Sequence, residues 1–163
     1  MKRIVLALAV AALSGPALAQ TAPTPTPAAA PAPPYGAPIS LADAQALIER
    51  AMAEARSRNF RMAFAVVEPS GELVAFARMD DVQYASIEVS QRKAETAARF
   101  RRPTSSHEEG VAGGRHAILG VSEIIPLSGG VPIIVDGRVV GAIGVSGASS
   151  AQDDEVARAA LAR

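Results

Sequence analysis

The sequence has no cysteine and no tryptophan, and aromatic residues fill only 4% of its 163 positions. Without cysteine there can be no disulfide, no thiolate metal site, no lipid-modified cysteine and no thiolate ligand for haem, so stability has to come from packing alone. The shortage of aromatics argues against stacking platforms for bases or sugars and points to close packing of small side chains. An excess of charge of one sign is missing too. The chain has 16 Lys+Arg against 16 Asp+Glu, which gives no reason to expect nucleic-acid binding. Beyond the first residues no apolar run is long enough to cross a bilayer, so no stable membrane insertion is expected once the start of the chain is removed.

That start has a recognisable pattern. Lys2 and Arg3 precede an apolar run from Ile4 to Leu13, then come Gly15, Pro16 and Ala17-Leu18-Ala19. This is the pattern of a cleavable secretory signal over residues 1–19, with cleavage expected before Gln20 and a periplasmic or secreted location for the mature protein. Residues 20–38, QTAPTPTPAAAPAPPYGAP, are nearly all Pro, Ala and Thr, a composition that favours extended spacers over a core. The folded domain is therefore expected over residues 39–163.

Within the domain, Ser40 and Asp43 resemble a capping box, and Leu41, Ala44, Leu47, Ile48, Ala51, Met52 and Ala55 recur at helical spacing, which predicts a helix over 41–57. Residues 62–68 and 72–78 are apolar, β-prone runs around the turn Pro69-Ser70-Gly71 and predict a hairpin. Tyr84 to Arg102 predicts a second helix with Ala94, Ala97 and Ala98 on its docking face, stopped by Pro103. Residues 104–120 are weakly patterned: TSSHEEG suits a short capped helix, and Gly113-Gly114 breaks any regular structure there. Residues 123–127, 131–135 and 138–145 read as strands, the last two joined by Asp136-Gly137. Pro132 belongs at a strand start, an edge or a bulge. Ser149 or Ser150 caps a final helix with Asp153, Asp154 and Glu155 in its first turn. The expected fold is a single α/β (α+β) domain, a five-stranded antiparallel sheet flanked by helices.

The glycine-punctuated stretch from Pro126 to Ala148 invites comparison with several catalytic motifs and matches none. Gly144-Val145-Ser146-Gly147 fails as a nucleophile elbow at Ala148, with both histidines upstream of the serine. Gly141, Gly144 and Gly147 do not make a dinucleotide fingerprint, and no lysine comes after them as in a P-loop. Close packing explains these glycines better than catalysis, and no catalytic residue is identified.

Two blocks of residues carry a family resemblance. Arg78-Met79-Asp80, Ser86, Gln91-Arg92-Lys93-Ala94-Glu95-Thr96-Ala97 and Arg102-Pro103-Thr104 form the first; Gly129-Gly130-Val131-Pro132, Gly141 to Gly147 and Gln152-Asp153 form the second. Over about residues 40 to 163 the chain resembles the GlcG/HbpS haem-binding family, whose members include the C-terminal domain of PduO-type proteins. The resemblance implies a profilin-like fold, a homo-oligomer and haem as cofactor. It transfers fold more securely than activity.

If haem is the ligand, an axial donor is needed, and with cysteine absent the available side chains are His107, His116, Met79, Tyr84 or a weaker oxygen donor. His107 lies in a polar context that reads as solvent-exposed, and His116 is flanked by Arg115 and an apolar run. The two histidines lie too far apart on an irregular segment to share a structural zinc. Arg99, Arg101, Arg102 and Arg115 form the densest basic cluster and suit haem propionates, although a solvated helix end explains them equally well. Arg78 and Asp80 are expected to pair with each other or with Lys93 as a structural lock. The leading expectation is an exported haem-binding protein serving in haem binding, storage, sensing or degradation, a binding protein more than an enzyme. The alternatives are a periplasmic accessory or sensory module for a 2-hydroxy acid or corrinoid-related small molecule, and a non-catalytic oligomeric scaffold.

Overall fold

The computed structural model describes residues 31–162; the signal-like segment 1–19 and the first part of the spacer lie outside the described residues. Helix α1 (Leu41–Ser57) starts where Ser40 Oγ accepts from the Asp43 N–H at 3.1 Å and donates to its carboxylate at 2.6 Å. It ends where Asn59 turns left-handed at φ 58 and the Phe60 N–H returns to the Ala55 carbonyl. Strands β1 (Ala63–Val67) and β2 (Leu73–Arg78) then form the expected hairpin.

Helices α2 (Ala85–Phe100) and α3 (Ser105–Ala112) come next, with a short 3-10 turn over His116–Gly120. Strands β3 (Gly130–Val135) and β4 (Arg138–Ser146) are joined through Asp136 and Gly137, both at positive φ, as a tight hairpin turn requires. Helix α4 (Ser150–Leu161) opens with a complete capping box between Ser149 and Gln152.

The sheet is antiparallel throughout in the order β2-β1-β4-β3, and each of its faces holds a different kind of side chain. Phe64, Val66, Ile143 and Val145 point to one face and pack with Leu47, Ile48 and Ala51 of α1 and Val156 and Ala157 of α4. Ala65, Val67 and Ala142 point to the other, where Ala94, Ala97 and Ala98 of α2 meet them. The small residues on that second face let α2 lie directly on the strands. A Cβ added at Gly144 would collide with the carbonyl of Ser90, so only glycine permits this approach. Pro132 sits on β3, an edge strand paired only with β4, where its missing donor costs no ladder bond.

One expected strand is absent: the sheet has four strands, because residues 123–127 do not pair with it. Ile124 and Ile125 are buried there, but the backbone is satisfied by a side chain instead of a ladder. Thr96 Oγ1 donates to the Glu123 carbonyl at 2.9 Å and accepts from the Ile125 N–H at 3.1 Å. Pro126 has no N–H to offer. Upstream of α1, the end of the Pro/Ala/Thr-rich segment lies along β4, with Val139 N–H donating to Pro34 O and Gly36 N–H to Val139 O.

Candidate functional site

Of the residues singled out in the sequence, His107 lies on α3, and Arg102 and Arg115 act on it through their charge. This helix has no side-chain cap: Thr104, at its N-cap, is itself in helical conformation, and its hydroxyl accepts from the Gly130 N–H at 2.9 Å. One turn on, the Glu108 carboxylate accepts from both the N–H and the hydroxyl of Ser128. The polar residues of TSSHEEG are thus used to dock α3 onto the start of β3, which turns His107 inward.

His107 is buried at 6% exposure, not solvent-exposed as its sequence context suggests. Its ring meets Phe100 edge-on, with centroids 5.4 Å apart. Among the described residues its Nε2 is the one buried side-chain nitrogen or oxygen with no hydrogen-bond partner. Leaving such a group unpaired costs about 1–3 kcal/mol. Burial first, and then the nearby charges of Arg102 and Arg115, push its pKa below the ordinary 6.5 and hold the imidazole neutral at neutral pH.

The remaining candidates divide. His116 is exposed on the 3-10 turn, and among the described residues no group of three or more histidine, aspartate or glutamate side chains is placed to hold a metal ion. Arg101 takes the left-handed position after α2, donates to the Pro33 carbonyl at 3.2 Å and lies 5.0 Å over the Tyr35 ring, so it fastens the residues before α1. Arg99 donates to the Ser70 carbonyl at 2.7 Å. Arg102 and Arg115 are exposed and act on His107 through their charge. Met79 is buried, whereas Tyr84 stands 83% exposed at the start of α2.

The lock expected between Arg78, Asp80 and Lys93 is built otherwise. Lys93, 1% exposed on α2, donates to Asp153 Oδ2 at 2.7 Å and to the Val145 carbonyl at 3.0 Å. Asp153 Oδ1 accepts from the Ala148 N–H at 3.0 Å, so one ion pair ties α2, the end of β4 and α4 together. Burial raises the Asp153 pKa, and Lys93 and the backbone donors of Ala148 and Gly147 oppose that shift. Lys93 shares a helix face with Ala94 and Ala97; a lysine among small docking residues was the available signal for a buried charge. Its partner, 60 residues away, left none.

Comparison with known proteins agrees with this architecture. Residues 39–162 match the family model described as "Haem degrading protein HbpS-like". The chain is 44% identical to Protein GlcG of Escherichia coli K12 over 103 residues, 63% of this chain and 77% of that protein. The crystal structure of an HbpS variant from Streptomyces reticuli superposes with a TM-score of 0.72 at 29% identity, covering 86% of this chain and 97% of that one. The crystal structure of a PduOC:heme complex superposes with a TM-score of 0.69 at 26% identity, covering 77% and 94%.

Proposed function

Because the chain belongs to the HbpS-like family, we propose that it is an exported haem-binding protein that takes haem at α3, with His107 as the axial nitrogen and Arg102 and Arg115 facing the propionates. The observation that carries this reading is the unpartnered Nε2 of His107. A neutral imidazole with a free nitrogen is what ferric or ferrous haem accepts, and the shift in the His107 pKa keeps it in that form. The haem complex of PduOC, a protein of the same fold, supports the ligand class.

Haem, when bound, would supply a redox-active iron. The chain supplies the nitrogen, two exposed cations and the edge of Phe100. His107 Nε2 is buried, so it would be open to a ligand only if α3 lifted from β3. Three features favour that motion: the helix is eight residues long, it lacks a side-chain cap, and it ends beside Gly114 at φ +90. The Thr104 and Glu108 hydrogen bonds are what hold it down. Export rests on residues 1–19 and on their resemblance to a secretory signal. Self-association is part of the proposal and is supported by the exposed apolar edge of β3, where Ile134 and Val135 are each 52% exposed.

Hemin titration of the purified protein, with the mass of the complex measured on the same sample, tests this. A saturable Soret shift is expected for the parent and for His116→Leu, and its loss for His107→Leu. An unchanged spectrum in His107→Leu would remove the axial assignment; no saturable binding by the parent would remove the haem reading.

A further inference from the structure

Away from α3, three arginines that the haem reading does not use meet in one cleft. Arg56 belongs to the last turn of α1, Arg61 to the loop entering β1 and Arg78 to the end of β2, and with Met79, Asp80 and Asp81 they line a space of about 550 Å³. Most cations in the domain have a protein acceptor: Arg58 pairs with Glu54 and Glu155, Arg158 with Asp154, Lys93 with Asp153, and Arg50 donates to the Ala160 carbonyl. Arg56, Arg61 and Arg78 have neither a hydrogen bond nor an ion pair with any described side chain, and the carboxylates of Asp80 and Asp81 are equally free.

The two carboxylates leave the three guanidiniums of the cleft with an excess of positive charge, and the planar fork of each suits a carboxylate held by two parallel N–H bonds. The three together span more acceptor oxygens than a single carboxylate offers. Asp80 and Asp81 add the opposite preference. They repel most strongly an anion whose charge is concentrated on one compact group, such as phosphate, but each accepts a hydrogen bond from a hydroxyl on a ligand whose separated carboxylates are anchored by the arginines. Cations and free acceptors side by side therefore read two functional groups on one small molecule.

We propose that the cleft between α1 and the end of β2 is a second binding site, separate from α3, for a small hydroxylated di- or tricarboxylic acid. Arg56, Arg61 and Arg78 hold its carboxylates, and Asp80 or Asp81 accepts from its hydroxyl. The site does not depend on haem.

Calorimetric titration of the full chain at low salt with L-malate, succinate and inorganic phosphate tests it. L-malate is expected to bind saturably and succinate, which lacks the hydroxyl, about tenfold more weakly. Arg78→Gln should weaken both acids by about tenfold or more, and Asp80→Asn combined with Asp81→Asn should erase the preference for malate over succinate. All these positions are exposed, so the variants are expected to fold, and hemin binding to each serves as the control that separates this site from the one at α3. The proposal is overturned if malate gives no saturable binding, if phosphate binds as well as malate, or if Arg56→Gln, Arg61→Gln and Arg78→Gln together leave the affinity unchanged.

Discussion

Lys93 and His107 are buried to a similar depth on neighbouring helices, and their surroundings treat them in opposite ways. Lys93 has a carboxylate and a carbonyl within 3.0 Å; His107 has a free nitrogen and two arginine charges nearby. A buried cation that is fully engaged ties elements together, and its removal should damage the fold. A buried nitrogen without a partner weakens the fold slightly, and its removal should cost only whatever that nitrogen was kept for. The contrast thus separates a structural use of a titratable side chain from a ligand-directed one, and each half can be broken on its own.

The largest effect is expected from Lys93→Met. Removing one partner of a buried pair leaves the other charge uncompensated, and about 3–5 kcal/mol of stability should be lost at neutral pH by denaturant unfolding. Asp153 would then relieve the penalty by taking up a proton. Its pKa, already raised by burial, should climb further once Lys93 is gone. A carboxyl whose folded pKa exceeds its unfolded value binds more protons in the native state, so the deficit of the variant should shrink as pH falls below that folded pKa. A small, pH-independent loss would mean that the pair contributes little to the seam between α2 and α4.

How much of this contrast could be read in the sequence depends on the range of the interactions. Ser40, Ser149, Pro69-Ser70-Gly71 and Asp136-Gly137 act on their immediate neighbours, and the elements they bound lie where the pattern places them. Residues 123–127 have the composition of a strand, yet their pairing was settled by the Thr96 hydroxyl, 27 to 29 residues away in sequence. His107 was visible as a residue type, but its burial was not. The same Thr104 and Glu108 that make the segment look solvated are turned against β3 by Gly130 and Ser128. The arginines show the same limit: as a cluster in sequence they look equivalent, and only the fold shows Arg101 stacked on Tyr35 while Arg102 and Arg115 stay exposed beside His107.

A smaller effect, opposite in sign to that of Lys93→Met, is expected for His107→Leu. The substitution removes the unpaired nitrogen and keeps most of the packing volume, so the variant should be as stable as the parent or more stable, by up to about 1–3 kcal/mol. It should also change the response to pH. A histidine whose folded pKa lies below 6.5 stays neutral in the native state while the unfolded chain takes up a proton. The associated stability is complete above 6.5 and is lost as pH falls toward the folded pKa. The parent should therefore lose stability through that window, and His107→Leu should lack this component of the slope. If the two proteins show parallel pH profiles, His107 is not held neutral by its site.

The smallest effect tests whether Arg115 tunes the histidine at a distance. Its guanidinium is exposed, so solvent screens its charge, and Arg115→Gln should alter stability by no more than about 0.5 kcal/mol. Its charge nevertheless contributes to lowering the His107 pKa, after burial and Arg102. Removing it should move the His107 titration midpoint, monitored by its ring proton resonances, upward toward 6.5 without restoring it fully, because burial is the leading cause and remains. If Arg115 also faces a propionate, hemin should dissociate faster from the variant while the Soret position, set by the axial nitrogen, stays where it is. A midpoint that does not move would leave burial and Arg102 as the causes of the neutral histidine and would separate Arg115 from the site at α3.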